Sequence, residues 1–220
     1  MILITGASSG LGAALAKLYG EEQAICISGR NSERLQQVAQ EVSHPCLPQV
    51  TDLSDASAVE TLFNNLPKIP SMIIHSAGSG YFGPIDTQSP EAIKNLLNNN
   101  VTSAIFLLRE AVKRYKDQQI TIVMVMSTAA LAPKAEEATY CAAKWAVKGL
   151  IESVRLELKN SRMKLIAVYP GGMDTDFWPN SGRAANTSSF MSANEAAGML
   201  KQALQSTEHG YISDLTIARG

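Results

Sequence analysis

Met1-Ile2-Leu3-Ile4-Thr5-Gly6-Ala7-Ser8-Ser9-Gly10-Leu11-Gly12 joins a short apolar run to three glycines and runs directly into a helix. A glycine at the strand end permits a tight turn, and one at the next bend lets the backbone approach a pyrophosphate with no Cβ in the way. A third, inside the helix, allows close packing on the strand. The free amides of that helix N-terminus then face an anion. Leu11, Ala14, Leu15 and Leu18 recur at helical spacing, which supports the strand–turn–helix reading. The spacing Gly-x3-Gly-x-Gly differs from the commoner Gly-x-Gly-x2-Gly, and no Gly-Lys-Ser/Thr follows, so a triphosphate-binding loop is disfavoured. A methyltransferase holding its cofactor at a similar turn is the alternative at this stage.

The chain has 220 residues, 45% of them hydrophobic, enough for one full core, and no Pro/Gly/Ser-rich linker divides it, so residues 1–220 are expected to form a single domain. A formal charge of −1 and the lack of a long basic run argue against a nucleic-acid or anionic-membrane surface and leave small molecules as partners. The first apolar segment is too short to span a membrane and lacks a secretory pattern, which points to the cytoplasm. Cys26, Cys46 and Cys141 fit reduced thiols, and with His44, His75 and His209 scattered, no metal site is expected.

The opening beat repeats. Apolar runs at 24–28, 46–50, 72–75, 120–126, 165–169 and 211–215 alternate with amphipathic helices, one of them a continuous stretch from about Pro90 to Tyr115 and another, after the third strand, capped by Ser54. The runs lack strict alternation, as expected of strands covered on both faces. The class is therefore α/β, with a doubly wound, mainly parallel sheet of about seven strands, helices on both faces and ligands beyond the carboxyl ends of the strands.

At those ends the residues take on chemical meaning. After the second strand comes Ser28-Gly29-Arg30, where an acid would accept hydrogen bonds from a free ribose 2′-hydroxyl. Arg30 instead suits a 2′-phosphate, which favours NADP over NAD. A solvated loop arginine is the plainer alternative, and Glu33 reads as a first-turn residue of the next helix. Asp52-Leu53 after the third strand fits either the flanks of an adenine ring or a turn. Tyr140 and Lys144, four apart on a helix, share a face, and a nearby ammonium favours a phenolate, so the pair can pass a proton. Ser127, at the end of the fifth strand, offers a hydroxyl to a substrate oxygen on which charge develops.

Over nearly its whole length the chain resembles a short-chain dehydrogenase/reductase of the compact, single-domain type, a Rossmann-type fold. Thr5 to Gly12 is similar to that family's cofactor turn, and Ser127, Tyr140 and Lys144 to its catalytic set. Asn100, within Asn98-Asn99-Asn100-Val101, is similar to its fourth catalytic position, with Asn98 and Asn99 as other possible registers. Pro170-Gly171-Gly172-Met173-Asp174-Thr175 resembles the nicotinamide-binding segment.

The resemblance implies cofactor contacts at Gly6, Ser8, Ser9, Gly10, Leu11, Gly12, Arg30, Asn31, Asp52, Leu53, Ser76, Ala77, Gly78, Tyr140, Lys144, Pro170, Gly171, Met173 and Thr175. It implies that Lys144 lowers the Tyr140 pKa, that Ser127 positions a carbonyl and that Tyr140 donates the proton in reduction. Two departures stand out. His75-Ser76-Ala77-Gly78 replaces the usual Asn-Asn-Ala-Gly, which removes an amide bridge between neighbouring strands, and Ser9 stands where NADP-preferring relatives often carry a basic residue, leaving Arg30 with small helpers such as Ser8 and Asn31. Residues 176–191 would form a short substrate lid, mostly polar apart from Phe177 and Trp178, with no tight hydrophobic enclosure evident; those two rings either line the substrate cleft or pack the lid against the body or a partner subunit. The expected function is hydride transfer between NADP(H) and a small carbonyl or alcohol substrate, in a homodimer or homotetramer. The alternative is a catalytically weak NADP-binding regulatory or scaffold protein.

Overall fold

Every residue of the first two strands, β1 (Ile2–Thr5) and β2 (Ile25–Gly29), is buried. A strand with no solvent face needs helices on both sides of its sheet. The computed structural model, which describes residues 1–182, 186–205 and 210–219, supplies them. β1 leads into α1 (Gly10–Gly20), β2 into α2 (Ser32–Gln40), and β3 (Cys46–Val50) into α3 (Ala56–Asn64). β4 (Met72–His75) is followed by α4 (Pro90–Leu97) and α5 (Ser103–Tyr115), and β5 (Thr121–Val125) by α6 (Ala138–Glu157). After β6 (Lys164–Pro170) come β7 (Met173–Asp174), α7 (Phe177–Asn180), β8 (Met191–Ser192), α8 (Ala193–Ala203) and β9 (Asp214–Ile217).

The main sheet has seven strands in the order β3-β2-β1-β4-β5-β6-β9, and all its pairs are parallel. Alternate residues of each strand feed opposite cores. Leu3, Ile73 and Ile122 pack with Leu62, Leu107 and Ile151 on one face, while Ile4, Ile27 and Ile74 pack with Leu15, Leu35 and Leu200 on the other. Chain direction across the sheet reverses between β1 and β4, and a parallel sheet opens a crevice at that point. Thr5 is level with both Ser28 and His75, so the turns leaving β1, β2 and β4 start side by side.

Four local readings change. The stretch 90–115 is not one regular helix: between α4 and α5, Asn98–Thr102 widens into a π turn in which the Ser103 amide reaches back to Asn98. Asparagine side chains compete for backbone carbonyls, and Asn100 Nδ2 donates to the Leu96 carbonyl at 2.9 Å, which accounts for the widening at this point. The cap of α3 is Asp55 rather than Ser54. The Asp55 carboxylate accepts the amides of Ser57 and Ala58, and Ser54 is held instead by Asp52. The last strand is 214–217 rather than 211–215: Tyr211 and Ile212 are exposed, while pairing with β6 sets Leu215 beside Val168 and Ile217 beside Pro170. A small parallel pair, β7 with β8, joins the segment after β6 to the start of α8 and was not foreseen. Of the residues named from sequence, His209 and part of the lid, 183–185, lie outside the described residues.

Among the described residues no helix is long and apolar enough to cross a membrane, and no group of three or more His, Cys, Asp or Glu side chains is placed to hold a metal.

Candidate active site

The glycine turn has little freedom. Gly6 sits at φ +71°, and a Cβ there would stand 2.5 Å from the Ala77 amide nitrogen, so β1 and the segment after β4 meet backbone to backbone. A Cβ on Gly12 would collide with the Gly6 carbonyl, which ties α1 tightly to the turn. α2, α3, α4 and α8 have their first amides capped by the side chains of Asn31, Asp55, Ser89 and Ser192. At α1 the N-cap Ser9 makes no such bond among the described residues, and the turn carries no acidic side chain. Amides in that condition suit an anion.

Arg30 leaves the end of β2, and its Nη1 donates to Asn99 Oδ1 at 3.0 Å. Asp52 accepts the amide and hydroxyl of Ser54 at 2.9 and 2.7 Å; these bonds, with the Arg30 charge adding a smaller share, hold its carboxyl below the usual carboxylate range. Asn31 is spent differently from the expectation. Its side chain caps α2 by accepting the Arg34 amide at 2.9 Å, which takes it out of the cleft lining.

Ser127, Tyr140, Lys144 and Asn100 converge where β4 and β5 end. Tyr140 and Lys144 are both buried on one face of α6, with Lys144 Nζ 5.5 Å from the Tyr140 ring centre. Gly78 lies between Lys144 and Asn100: a Cβ there would be 3.4 Å from Lys144 Nζ and 2.8 Å from Asn100 Oδ1. The π turn decides which asparagine faces inward. Asn98 stays exposed, Asn99 meets Arg30 and Ser79, and Asn100 is buried with Nδ2 donating to Ser79 and Leu96 carbonyls. Asn100 Oδ1 finds no hydrogen-bond partner among the described residues.

Burial sets the charges here. Loss of water pushes the Tyr140 phenol well above its ordinary range; a hydrogen bond from Ser127 pulls the other way, while the charges of Glu137 and Cys141 add to the rise. Desolvation outweighs the Ser127 hydrogen bond, so the phenol stays protonated in the folded protein. Burial also brings the Lys144 ammonium down to about 8.

The bridge lost with the usual asparagines is rebuilt in another way. His75 Nδ1 and Thr5 Oγ1 are 2.9 Å apart, linking β4 to β1 through a buried pair, and the Ser76 amide donates to the Thr5 carbonyl at 3.1 Å. Burial, with the Lys144 charge adding to it, lowers the His75 pKa to about 3, so the ring is neutral.

A cleft of about 510 Å³ brings together the residues named from sequence except Gly12, Asn31 and Asn100. It is also lined by Ser79, Phe82, Asn99, Lys134, Glu137, Phe177 and Trp178. Ser79 was within reach of the strand-end rule, and Glu137 is one helical turn ahead of Tyr140; Phe82 and Lys134 carry no local signal. The lid was read as mostly polar with no hydrophobic enclosure. In the structure Phe82 and Phe177 pack against each other and against Tyr140, Trp178 packs on both, and Phe190 packs on Trp178 from behind.

A doubly wound parallel sheet with a glycine turn at its crossover and a cleft beyond its strand ends makes this a Rossmann-type α/β protein. The sequence profile described as short chain dehydrogenase matches residues 1–186, and the chain belongs to that family. It is therefore an oxidoreductase of a family that uses NAD or NADP. A short-chain dehydrogenase/reductase from Vibrio parahaemolyticus is 55% identical, with full coverage of both chains (100% each) and a TM-score of 0.93. One from Sphingobium yanoikuyae, solved in complex with NADPH, is 25% identical over 97% of this chain and 86% of that one, with a TM-score of 0.85. An uncharacterized oxidoreductase of Staphylococcus epidermidis is 25% identical over 98% of this chain and 95% of its own.

Proposed function

We propose that the protein is an NADP(H)-dependent carbonyl reductase, able to run in reverse as an alcohol dehydrogenase, with Tyr140 as general acid and base. The observation that carries this is the convergence of Ser127, Tyr140, Lys144 and the unpartnered Asn100 Oδ1 around Gly78, at the mouth of the glycine turn. The residues fit a dinucleotide: the first α1 amides carry no side-chain cap, and Gly6 and Gly10, both at positive φ, line the cleft beside them. Gly6, Ser8, Ser9, Gly10 and Leu11 would hold its pyrophosphate, Asp52 and Leu53 its adenine end, Ser76, Ala77 and Gly78 its centre, and Pro170, Gly171, Met173 and Thr175 its nicotinamide. Arg30 would select a 2′-phosphate, and the NADPH-bound Sphingobium relative supports that preference. Such a cofactor supplies or accepts the hydride.

The chain's own residues handle the proton. Tyr140, protonated in the buried site, would give its proton to the carbonyl oxygen as hydride addition makes that oxygen strongly basic. Ser127 donates a hydrogen bond to the same oxygen and holds it near Tyr140. Lys144 stands behind the phenol as the next proton source, and the free Asn100 carbonyl oxygen faces the Lys144 side of Gly78. Residues 1–220 act as one cytoplasmic domain with its lid at 176–191. Trp145 and Leu156 on α6 and Ile105 on α5 are exposed apolar side chains through which a homodimer or homotetramer would form.

Replacing Tyr140 with Phe tests the assignment. NADPH oxidation against a panel of aldehydes and ketones should fall by about 10³-fold while NADPH affinity stays within about twofold. Turnover close to wild type would remove Tyr140 from the role.

A further inference from the structure

The wall facing Tyr140 is aromatic in composition and ordered in geometry. Phe82 stands edge-on to Tyr140, with ring centres 5.4 Å apart and planes at 83°. Phe177 lies 5.8 Å from Tyr140 at 58°, and Trp178 stands 5.7 Å from Phe177 at 86°. These spacings are those of rings that attract edge to face, and the set is anchored from behind. Trp178 Nε1 donates to the Met173 carbonyl at 2.9 Å, and the Phe82 amide donates to the Ser181 carbonyl at 3.0 Å. A Cβ on Gly80 would stand 2.7 Å from Phe177, so the backbone is cut back to admit that ring.

Phe177 and Trp178 remain partly exposed, and both line the cleft with Phe82. With its indole N–H committed to Met173, Trp178 offers a substrate ring carbon only. Ser127 and Tyr140 sit at the end where the carbonyl would react, and Ser79, Asn99, Lys134 and Glu137 add further polar lining to the cleft. The cleft thus has a polar end beside Tyr140 and an aromatic wall next to it.

We infer that the substrate is an aryl aldehyde or aryl ketone whose flat ring completes this cluster while its carbonyl meets Ser127 and Tyr140. The inference rests on the reductase reading above. The reaction is that of the reading: the carbonyl gains a hydride at carbon and a proton at oxygen, becoming an alcohol, while NADPH becomes NADP. A ring entering such a cluster gains edge-to-face contacts that a saturated ring of similar size lacks, worth roughly two- to tenfold in binding.

The experiment compares benzaldehyde with cyclohexanecarbaldehyde in the purified full chain with NADPH, for wild type and Trp178→Leu. Wild type should favour benzaldehyde in kcat/KM. In the variant this ratio should fall by about fivefold to tenfold, through a rise in KM for benzaldehyde with little change in its kcat. Because intrinsic reactivity of the two aldehydes cancels in the change of ratio, the ratio isolates the wall. Phe177→Leu should shift the ratio in the same direction and serves if Trp178→Leu folds poorly. A ratio unmoved by both variants, or a loss shared equally by both aldehydes, would overturn the inference while leaving the reductase reading intact. No turnover of any carbonyl in wild type would overturn both.

Discussion

The two halves of the cleft achieve their shape by different means. Around the ends of β1, β2 and β4 the surface is backbone held at fixed distance, with Gly6 against Ala77, Gly12 against the Gly6 carbonyl, and a buried Thr5–His75 pair beneath. Opposite Tyr140 the surface is side chain, with Phe82 from one segment, Phe177 and Trp178 from another, and Phe190 packed behind Trp178. A backbone surface cannot yield by rotating a bond, whereas an aromatic cluster can repack. Substitutions in the first half should therefore cost stability, and substitutions in the second should alter selectivity with milder effects on folding.

Gly6→Ala puts the greatest load on that contrast. Its new Cβ would meet the Ala77 backbone at 2.5 Å, at a φ of +71° that alanine disfavours, and neither strand end can withdraw without breaking sheet pairing. We expect a loss of about 3 kcal/mol in chemical denaturation. A loss under about 1 kcal/mol would show that the turn gives way, and the contrast would fail.

The same division explains what could be read from sequence. The glycine turn and the Tyr140–Lys144 spacing are local patterns, set by a turn and by helical periodicity, so a few adjacent residues carry them. Arg30 was legible because strand order places its loop at a known point. The register among Asn98, Asn99 and Asn100 depends on a π turn that arises only when Asn100 finds Leu96 and Ser79, partners up to 21 residues away. Phe177 and Trp178 were readable as cleft candidates, but the wall as a whole was not, for a stronger form of the same reason: no segment contains more than two of its rings, and only the fold brings Phe82 to Phe177. The upward shift of the Tyr140 phenol follows from burial, a three-dimensional quantity that spacing does not report.

His75 offers a test of the backbone half that uses pH. Its ordinary pKa near 6.5 falls to about 3 in the folded protein, because burial, aided by the Lys144 charge, disfavours the imidazolium. Between those values the unfolded chain binds more protons than the folded one, so stability falls as pH drops below about 6.5. From about pH 7 to about pH 5 the loss should be on the order of 2 kcal/mol, and His75→Asn should flatten that part of the profile. An unchanged acid slope in the variant would place the acid sensitivity elsewhere.

Arg30 tests the edge of the same half, where side chain begins to replace backbone. Its guanidinium is exposed and already shared with Asn99, so its hold on a 2′-phosphate should be moderate. Arg30→Ala should weaken NADPH binding by about tenfold, as read by titration, and leave NADH binding within about twofold. Equal losses for both cofactors would assign Arg30 to the Asn99 contact and the loop rather than to the phosphate.

The smallest effect is expected where the two halves meet. Arg34 on α2 reaches Asp176 at the start of the lid, with Nη1 and Oδ2 3.4 Å apart, and this pair spans the outer side of the glycine turn. Such a span looks well placed to hold the lid, but its side chains are 49% and 65% exposed, and solvent screens a pair of that kind. The lid has stronger ties of another sort: Trp178 Nε1 on the Met173 carbonyl, the Phe82 amide on the Ser181 carbonyl, and Trp178 packed against the rings of Phe82, Phe177 and Phe190. A double-mutant cycle on Arg34→Ala and Asp176→Ala should give a coupling below about 0.5 kcal/mol, shrinking further in high salt. A coupling above about 1 kcal/mol would mean that charge, rather than aromatic packing, fixes the lid against the cofactor half, and the side-chain half would then owe its position to α2.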